Sequence, residues 1–263
     1  MDLGLHGKVA MVAASSKGLG FGIAQALARE GALVSLGART EAEVFDAADA
    51  LIEETGTDVL ANVLDVTKPA SILEWLDNTT DAFGGVDALV VNAGGPPTGN
   101  FDDFDDADWQ SAFDLTLMSA VRMIRAVLPS MRAVGGGSIL TITSVSVKEP
   151  IDVLLLSNVM RSGVASLAKS LSRQLASENI RVNNLLPGRI DTDRVQSLDA
   201  LRADAQDLSI EDVRAANELI IPLGRYGTIE EFGKLGAFLL SDAASYITGQ
   251  TIAADGGSIK TVW

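Results

Sequence analysis

Short apolar runs alternate with longer segments of helical character along the whole 263-residue chain. Runs of this length predict strands buried on both faces, and the segments between them predict the helices that cover those faces. The predicted strands lie at 9–13, 33–36, 59–63, 88–92, 138–143, 181–185 and 251–254. The predicted helices lie at about 22–29, 42–54, 71–83, 106–132, 158–177 and 229–241. The sequence therefore predicts an α/β fold, with a doubly wound parallel sheet of about seven strands.

A single domain spanning residues 1–263 is expected, because no repeat or low-complexity linker interrupts the alternation and the length suits one large core. One segment departs from the pattern. Residues at about 192–217 are charged and helix-prone, and they follow the sixth predicted strand at the edge where such sheets bind ligands. We interpret this segment as a substrate lid. The alternative is a helical excursion that only faces solvent.

Composition excludes several classes of function. The net charge of −15 argues against binding to nucleic acid or to an anionic membrane surface. The chain has no cysteine and one histidine, His6, so thiol catalysis, iron–sulfur clusters, Ser-His-Asp hydrolysis and Cys- or His-rich metal sites are not expected. Because neither a signal-peptide pattern nor an apolar run of membrane-spanning length is present, a cytoplasmic location is expected.

A Gly-rich segment joins the first predicted strand to the first predicted helix. Gly18 and Gly20 would let the backbone come close to a phosphate, which the amides and dipole of a helix N-terminus stabilise. Two glycines alone are weak support, but their place in the first βα turn strengthens it. The candidate cofactor-binding residues of this turn are Ala14, Ser16, Lys17, Gly18, Leu19 and Gly20.

This turn resembles the Thr-Gly-x-x-x-Gly-x-Gly turn of the short-chain dehydrogenase/reductase family, with Ala13 and Ala14 in place of the Thr and the first Gly. Further resemblances to 3-oxoacyl-carrier-protein reductases follow in order at Asp65-Val66, Asn92-Ala93-Gly94-Gly95, Pro187-Gly188 with Thr192, Pro222 to Gly227, Ser245 to Gln250 and Asp255-Gly256-Gly257. The resemblance implies a Rossmann-type fold. It also implies cofactor contacts from Asp65 and Val66 near the adenine, from Asn92, Ala93 and Gly94, and from Pro187, Gly188 and Thr192 near the nicotinamide.

The end of the second strand bears on the choice of cofactor. NAD-specific sites place a carboxylate there for the ribose hydroxyls, whereas NADP sites place cations there for the 2′-phosphate. Here Gly37-Ala38-Arg39-Thr40 contains no acid. Arg39 and Lys17 would bind the phosphate through charge-assisted hydrogen bonds, so NADP(H) is favoured over NAD(H). The alternative is that both are solvated surface cations.

The catalytic positions implied by the resemblance depart from the family pattern, which is a Ser, a Tyr and a Lys supported by an Asn. Ser144 matches the Ser. Ser157, thirteen residues later, stands where the Tyr is expected, and Arg161, four residues further, stands where the Lys is expected. Thr116, seven residues after Trp109, stands where the Asn is expected.

These replacements change the proton chemistry but leave the geometry. The i, i+4 spacing keeps Ser157 and Arg161 on one helix face, where Arg161 would also reach the nicotinamide ribose. An alcohol is a much weaker acid than a phenol, whose pKa is near 10, and the charge of an Arg is fixed. The first hypothesis is an NADP(H)-dependent oxidoreductase that reduces a small-molecule carbonyl through this atypical site. The alternative is a catalytically impaired relative that binds a nucleotide or ligand as a sensor or partner subunit.

A homotetramer is expected from the resemblance, because the family assembles partly through the helix that carries the Tyr and Lys. Small residues around Ser162, Gly163, Ala165 and Ser166 would permit such packing. The alternative is that this face packs inside the subunit.

Overall fold

The computed structural model describes residues 2–262 and shows the predicted parallel sheet. Seven strands lie in the order β3-β2-β1-β4-β5-β6-β7, and every neighbouring pair is parallel. Their bounds are β1 Val9–Ala13, β2 Leu33–Ala38, β3 Val59–Val63, β4 Ala88–Val91, β5 Gly137–Ile142, β6 Ile180–Pro187 and β7 Thr251–Ala254. The prediction of a doubly wound α/β fold is confirmed.

Helices cover both faces of the sheet. They are α1 Gly18–Arg29, α2 Glu41–Thr55, α3 Pro69–Phe83, α4 Asp106–Ala112, α5 Ser119–Ala133, α6 Leu155–Gln174, α7 Asp193–Gln206, α8 Ile210–Ile220 and α9 Ile229–Leu240. Two apolar cores lie between the helices and the sheet, one on each face. Ile23, Leu27 and Phe232 belong to the first core, and Trp75 and Met123 belong to the second.

Several boundaries differ from the sequence-based predictions. Helix α1 begins at Gly18, inside the Gly-rich segment, rather than at residue 22. Helix α6 begins at Leu155 rather than at residue 158, and strand β6 runs on to Pro187. The helix predicted at 106–132 is divided into α4 and α5 by one turn of π-helix, Phe113–Met118. This turn shifts the helical register, which apolar periodicity alone does not indicate.

The segment predicted as a lid consists of α7 and α8, which follow β6 at the carboxyl edge of the sheet. Among residues 2–262, no helix has the length and apolar character needed to cross a membrane.

Candidate active site

The crevice at the carboxyl edge of the sheet opens between β1 and β4. The chain leaves β1 toward β2 and β3 on one side, whereas β4 leads to β5, β6 and β7 on the other. The loops that follow β1 and β4 therefore diverge, as they do at the ligand-binding switch point of open α/β sheets. Asn92 follows β4, and its Nδ2 donates a hydrogen bond of 3.3 Å to the carbonyl of Ala14, which follows β1. Two predicted cofactor residues thus meet across the crevice.

The turn between β1 and α1 has the form of a phosphate cradle. Helix α1 has no side-chain cap at Lys17, so its first-turn amides are not satisfied by a side chain. A Cβ on Gly20 would lie 2.3 Å from the carbonyl oxygen of Ala14, and only glycine avoids that clash. Gly18 has φ +62°, which glycine adopts without strain. The cradle therefore fits the pyrophosphate of a dinucleotide.

Ala14 adopts φ +49°, a left-handed conformation that costs a residue with a Cβ about 1–2 kcal/mol. Buried Ser15 holds the turn in place. Its Oγ donates to the Val12 carbonyl at 2.7 Å and accepts from the Gly37 amide at 3.1 Å. Sequence reasoning missed Ser15, because its role depends on contact with the neighbouring strand β2.

The region after β2 and β3 would face the adenosine end of a cofactor. Arg39 is exposed and makes no ion pair with the residues described. Lys17 Nζ lies 3.5 Å from a Glu43 carboxylate oxygen and 3.7 Å from one of Asp193. Ser16 Oγ donates to Glu43 at 3.3 Å. Of the two cations predicted for a 2′-phosphate, Lys17 has acidic neighbours and Arg39 has no ion-pair partner among the residues described.

Asp65 is engaged within its own loop. Its Oδ1 accepts the Thr67 hydroxyl at 2.6 Å and the Thr67 amide at 3.0 Å, and its other oxygen lies 3.3 Å from Lys68 Nζ. The Thr67 hydroxyl is the main cause that lowers the pKa of Asp65. Val66, which follows it, is buried. The loop is therefore held in one shape by its own contacts.

Ser157 and Arg161 form the centre of the candidate catalytic site. Arg161 Nε donates a hydrogen bond of 3.1 Å to Ser157 Oγ, as the i, i+4 spacing predicted. Arg161 Nη1 donates to the carbonyls of Ile142 at 3.1 Å and Thr143 at 3.2 Å. Ser157 is only 8% exposed. The guanidinium thus ties α6 to the end of β5, immediately before Ser144.

Burial of the Arg161 guanidinium, together with the nearby charge of Arg194, lowers the pKa of Arg161 to about 10. Arg161 therefore still carries its positive charge at neutral pH. A fixed cation bonded to the Ser157 hydroxyl oxygen polarises that hydroxyl toward donation. Ser144 Oγ accepts the Ser146 amide at 3.1 Å, which orients this second hydroxyl at the end of β5.

Thr116 lies in the π-helical turn, and its side chain is 5% exposed. Its Oγ1 is buried and has no hydrogen-bond partner among the residues described. It lines a cavity of about 10 Å³ together with Asn92, Ala93 and Arg161. A cavity of this size approaches the space that one water molecule needs. The π turn thus places an unsatisfied hydroxyl at a small cavity beside Arg161, where Val164 and other apolar side chains also form part of the lining.

The turn after β6 lies close to the phosphate cradle. Gly188 donates its amide to the Ala254 carbonyl at 3.0 Å, which fixes the turn beside β7. Thr192 caps α7 by accepting the Val195 amide at 3.4 Å. A Cβ on Gly18 would lie 3.8 Å from the Thr192 methyl. The loop that begins at Pro187 therefore reaches the first βα turn.

The remaining predicted cofactor residues also lie at this edge. Leu19 is partly buried against the first core, and the space around the Gly94 Cα is open. The structure thus gathers the predicted residues around one crevice. Among residues 2–262, no group of three or more His, Cys, Asp or Glu side chains is placed to hold a metal ion.

A buried polar cluster joins α7 and α8 to the loops that follow β6 and precede α9. Asp199 of α7 is 3% exposed and accepts hydrogen bonds from Arg189 at 2.8 Å, from Asn217 at 3.1 Å and from the Tyr226 hydroxyl at 2.6 Å. We name these four residues, Asp199, Arg189, Asn217 and Tyr226, the Asp199 cluster. Burial and the Asp199 bond raise the pKa of Tyr226, so this phenol is committed to the cluster.

The other tyrosine, Tyr246, is fully exposed. Neither tyrosine replaces the expected proton donor. Sequence reasoning missed the Asp199 cluster because its members come from α7, α8 and two separate loops.

Sequence reasoning also missed Arg194, in the first turn of α7. Its Nη2 donates a long hydrogen bond of 3.4 Å to the Pro96 carbonyl, in the loop that follows β4. Arg194 thus reaches from the start of α7 to the loop after β4. Its neighbour in space is 98 residues away in the chain, so no local pattern indicated the contact.

The chain is similar over nearly its whole length to known reductases. The model of the family described as enoyl-(acyl carrier protein) reductase matches residues 13–258. The chain is 36% identical over 252 residues to the monensin polyketide synthase putative ketoacyl reductase of Streptomyces virginiae. The aligned region covers 95% of this chain and 96% of that protein.

Two solved structures have similar folds. L-sorbose reductase from Gluconobacter frateurii, complexed with NADPH and L-sorbose, has a TM-score of 0.95 and 33% identity, with 100% of each chain covered. An NADPH-bound short-chain oxidoreductase from Pseudomonas aeruginosa PAO1, described as containing an atypical catalytic center, has a TM-score of 0.87 and 27% identity, with 97% of each chain covered.

Proposed function

The chain belongs to the short-chain dehydrogenase/reductase family, and we propose that it is an NADP(H)-dependent oxidoreductase that reduces a carbonyl compound through Ser144, Ser157 and Arg161. The observation that carries the proposal is the hydrogen bond of 3.1 Å from Arg161 Nε to Ser157 Oγ. This bond makes Ser157 an acceptor toward Arg161, and its own O–H remains available for a substrate oxygen.

The proposed chemistry depends on stabilising negative charge on the substrate oxygen. NADPH, when bound, supplies the hydride. Ser157 and Ser144 would donate hydrogen bonds to the carbonyl oxygen, and the fixed charge of Arg161 behind Ser157 would stabilise the developing oxyanion. The alkoxide that results would take its proton from a water molecule in the cavity beside Thr116 and release hydroxide toward solvent, because an alkoxide is about as strong a base as hydroxide.

The residues that would hold the cofactor are those gathered around the crevice. The uncapped amides at Gly18 to Gly20 suit the pyrophosphate, and Asp65 and Val66 suit the adenine pocket. Asn92, Ala93, Gly94, Pro187, Gly188 and Thr192 are proposed for the nicotinamide half, with Arg161 near its ribose.

NADP(H) is proposed over NAD(H) because Arg39 is exposed, without an ion pair among the residues described, and β2 ends without an acid. Glu43, beside Lys17, weakens the contribution of that lysine. NADPH in the Gluconobacter neighbour supports the same choice.

Helices α7 and α8 are proposed to form the substrate lid. They follow the turn at Pro187 and Gly188, and Arg194 of α7 reaches the loop after β4. The Asp199 cluster holds the two helices in place.

A homotetramer is also proposed. Ser162, Ser166 and Val159 are exposed on α6, whereas a Cβ on Gly163 would lie 3.0 Å from the Leu117 side chain of the same subunit. Light scattering of the purified protein would show a mass four times that of the 27.5 kDa chain if the proposal is correct.

The decisive experiment has two stages. Binding of NADPH and NADH is measured by fluorescence, and oxidation of NADPH is then followed with ketones, quinones and 3-oxoacyl thioesters. We expect tight NADPH binding and measurable turnover of at least one carbonyl. NADPH binding without turnover by the natural chain, combined with turnover by the double variant Ser157→Tyr/Arg161→Lys, would instead favour the nucleotide-binding sensor or partner subunit.

A further inference from the structure

Two arginines at the crevice have no carboxylate partner among residues 2–262. Arg161 bonds to Ser157 and to two backbone carbonyls. Arg194 bonds only to the Pro96 carbonyl, at 3.4 Å. Within that part of the chain neither forms an ion pair, although the chain carries 35 acidic residues. Cations at this edge of an acidic protein are thus left with their charge uncompensated.

The acids nearest to Arg194 in sequence are directed elsewhere. Asp193 lies 3.7 Å from Lys17 Nζ. Asp191 lies 3.0 Å from Arg214 and also accepts from Gln196 at 3.0 Å. Both carboxylates therefore have their own cations or donors, and Arg194 is free to meet another anion.

The position of Arg194 suits a ligand in the crevice. A Cβ on Gly95 would lie 3.1 Å from its Nη2, so the guanidinium rests on the loop that follows β4. A guanidinium has five N–H donors, and the single long bond to Pro96 uses one of them. The remaining donors form the planar fork that binds carboxylates in a bidentate manner.

The charge of Arg194 also acts on Arg161. The proximity of Arg194 contributes to the lowered pKa of Arg161, after burial as the main cause. Arg194 is exposed, but its charge near the buried Arg161 raises the free energy of the empty protein. An anion bound between them would remove this cost.

We propose that the substrate is a carbonyl compound that bears a carboxylate, and that Arg194 binds the carboxylate; this inference rests on the reductase function proposed above. The same guanidinium would also suit the cofactor pyrophosphate. The experiment therefore measures binding to the two anions separately.

The test uses matched pairs of oxo acids and their methyl esters. Pyruvate, acetoacetate and 4-oxopentanoate place the carboxylate at three distances from the carbonyl. Their binding to the complex with NADP⁺ is measured by calorimetry for the natural chain and for the variants Arg194→Gln and Arg194→Lys. Arg173→Gln is the control, because Arg173 is an exposed cation on the same helix as Arg161 but about 18 Å along it.

We expect at least one acid to bind better than its ester and to lose about 10- to 100-fold in affinity in Arg194→Gln, with partial retention in Arg194→Lys. The esters, NADPH affinity and Arg173→Gln should be unaffected. Equal binding of acids and esters at all three spacings would overturn the inference. A loss in Arg194→Gln that is confined to NADPH affinity would also overturn it, because Arg194 would then bind the pyrophosphate.

This readout does not depend on turnover. If the acid binds through Arg194 but no carbonyl is reduced, the proposed reductase function fails and the carboxylate site stands. If carbonyls are reduced without preference for the acid, the function stands and the carboxylate site fails.

Discussion

Replacement of Ser157 by alanine tests the central contact of the proposed site. The hydroxyl has two roles in the proposal: it accepts from Arg161 Nε at 3.1 Å and it donates to the substrate oxygen. Loss of one donor to a developing oxyanion lowers kcat by about 10²- to 10³-fold. Loss of the acceptor leaves a partly buried charged N–H without its partner, which costs about 1–3 kcal/mol in the free energy of unfolding.

The assay separates these effects. Initial rates of NADPH oxidation give kcat and KM, fluorescence gives the affinity for NADPH, and urea unfolding gives the stability. We expect a large fall in kcat, a modest fall in stability and little change in NADPH affinity, because Arg161 keeps its bonds to the Ile142 and Thr143 carbonyls. The control is Ser162→Ala, since Ser162 is exposed on the same helix and bonds only to the Asn158 carbonyl at 2.7 Å.

An unchanged kcat in Ser157→Ala would refute the reasoning. The hydroxyl would then serve only to position Arg161, and the substrate oxygen would be stabilised elsewhere. A fall in kcat of the same size in Ser162→Ala would point to a general disturbance of α6 rather than to the hydrogen bond.

Three further results are expected. The kcat/KM for carbonyl reduction should be level from about pH 6 to about pH 9, because hydroxyls do not titrate there. It should fall at higher pH as Arg161, with its pKa of about 10, loses its charge. A steep change in the initial rates near neutral pH would contradict the proposed site. Arg39→Ala should weaken NADPH binding about tenfold and leave NADH binding unchanged in fluorescence titrations. The control is Arg125→Ala, which removes an exposed cation on α5 and should alter the binding of neither cofactor. An equal loss of affinity for both cofactors in Arg39→Ala would contradict a role for Arg39 at the 2′-phosphate. Asp199→Ala should lower the free energy of unfolding, measured in urea, by about 3–5 kcal/mol, because it leaves buried donors of the Asp199 cluster unpaired. The control is Asp204→Ala, at an exposed position on the same helix, which should leave the free energy of unfolding nearly unchanged.

The sequence predicted the architecture well, because parallel strands buried on both faces leave a clear apolar signal. Strands β1, β3 and β7 have the predicted bounds. The pairing of Ser157 with Arg161 was also predictable, since it depends only on helical spacing. Sequence periodicity did not reveal the π turn at Thr116, because hydrogen-bond register inside a helix has no compositional signature.

Contacts between distant segments were beyond sequence reasoning. Arg194 meets Pro96, 98 residues away, and Asp199 meets Tyr226 across 27 residues. In the sequence, a charged residue of a helix-prone segment has the same appearance whether it faces solvent or crosses a crevice. Only the tertiary structure distinguishes these cases.

The Asp199 cluster has a thermodynamic consequence for ligand exchange. A segment that orders only on binding consumes about 1–2 kcal/mol of conformational entropy per backbone residue, which reduces affinity. Here α7 and α8 are already anchored through Arg189, Asn217 and Tyr226, so this entropy is lost during folding and not during binding. Ligands should therefore enter and leave through a preorganised opening, and binding should show the small heat-capacity change of a rigid pocket rather than the large one of coupled folding.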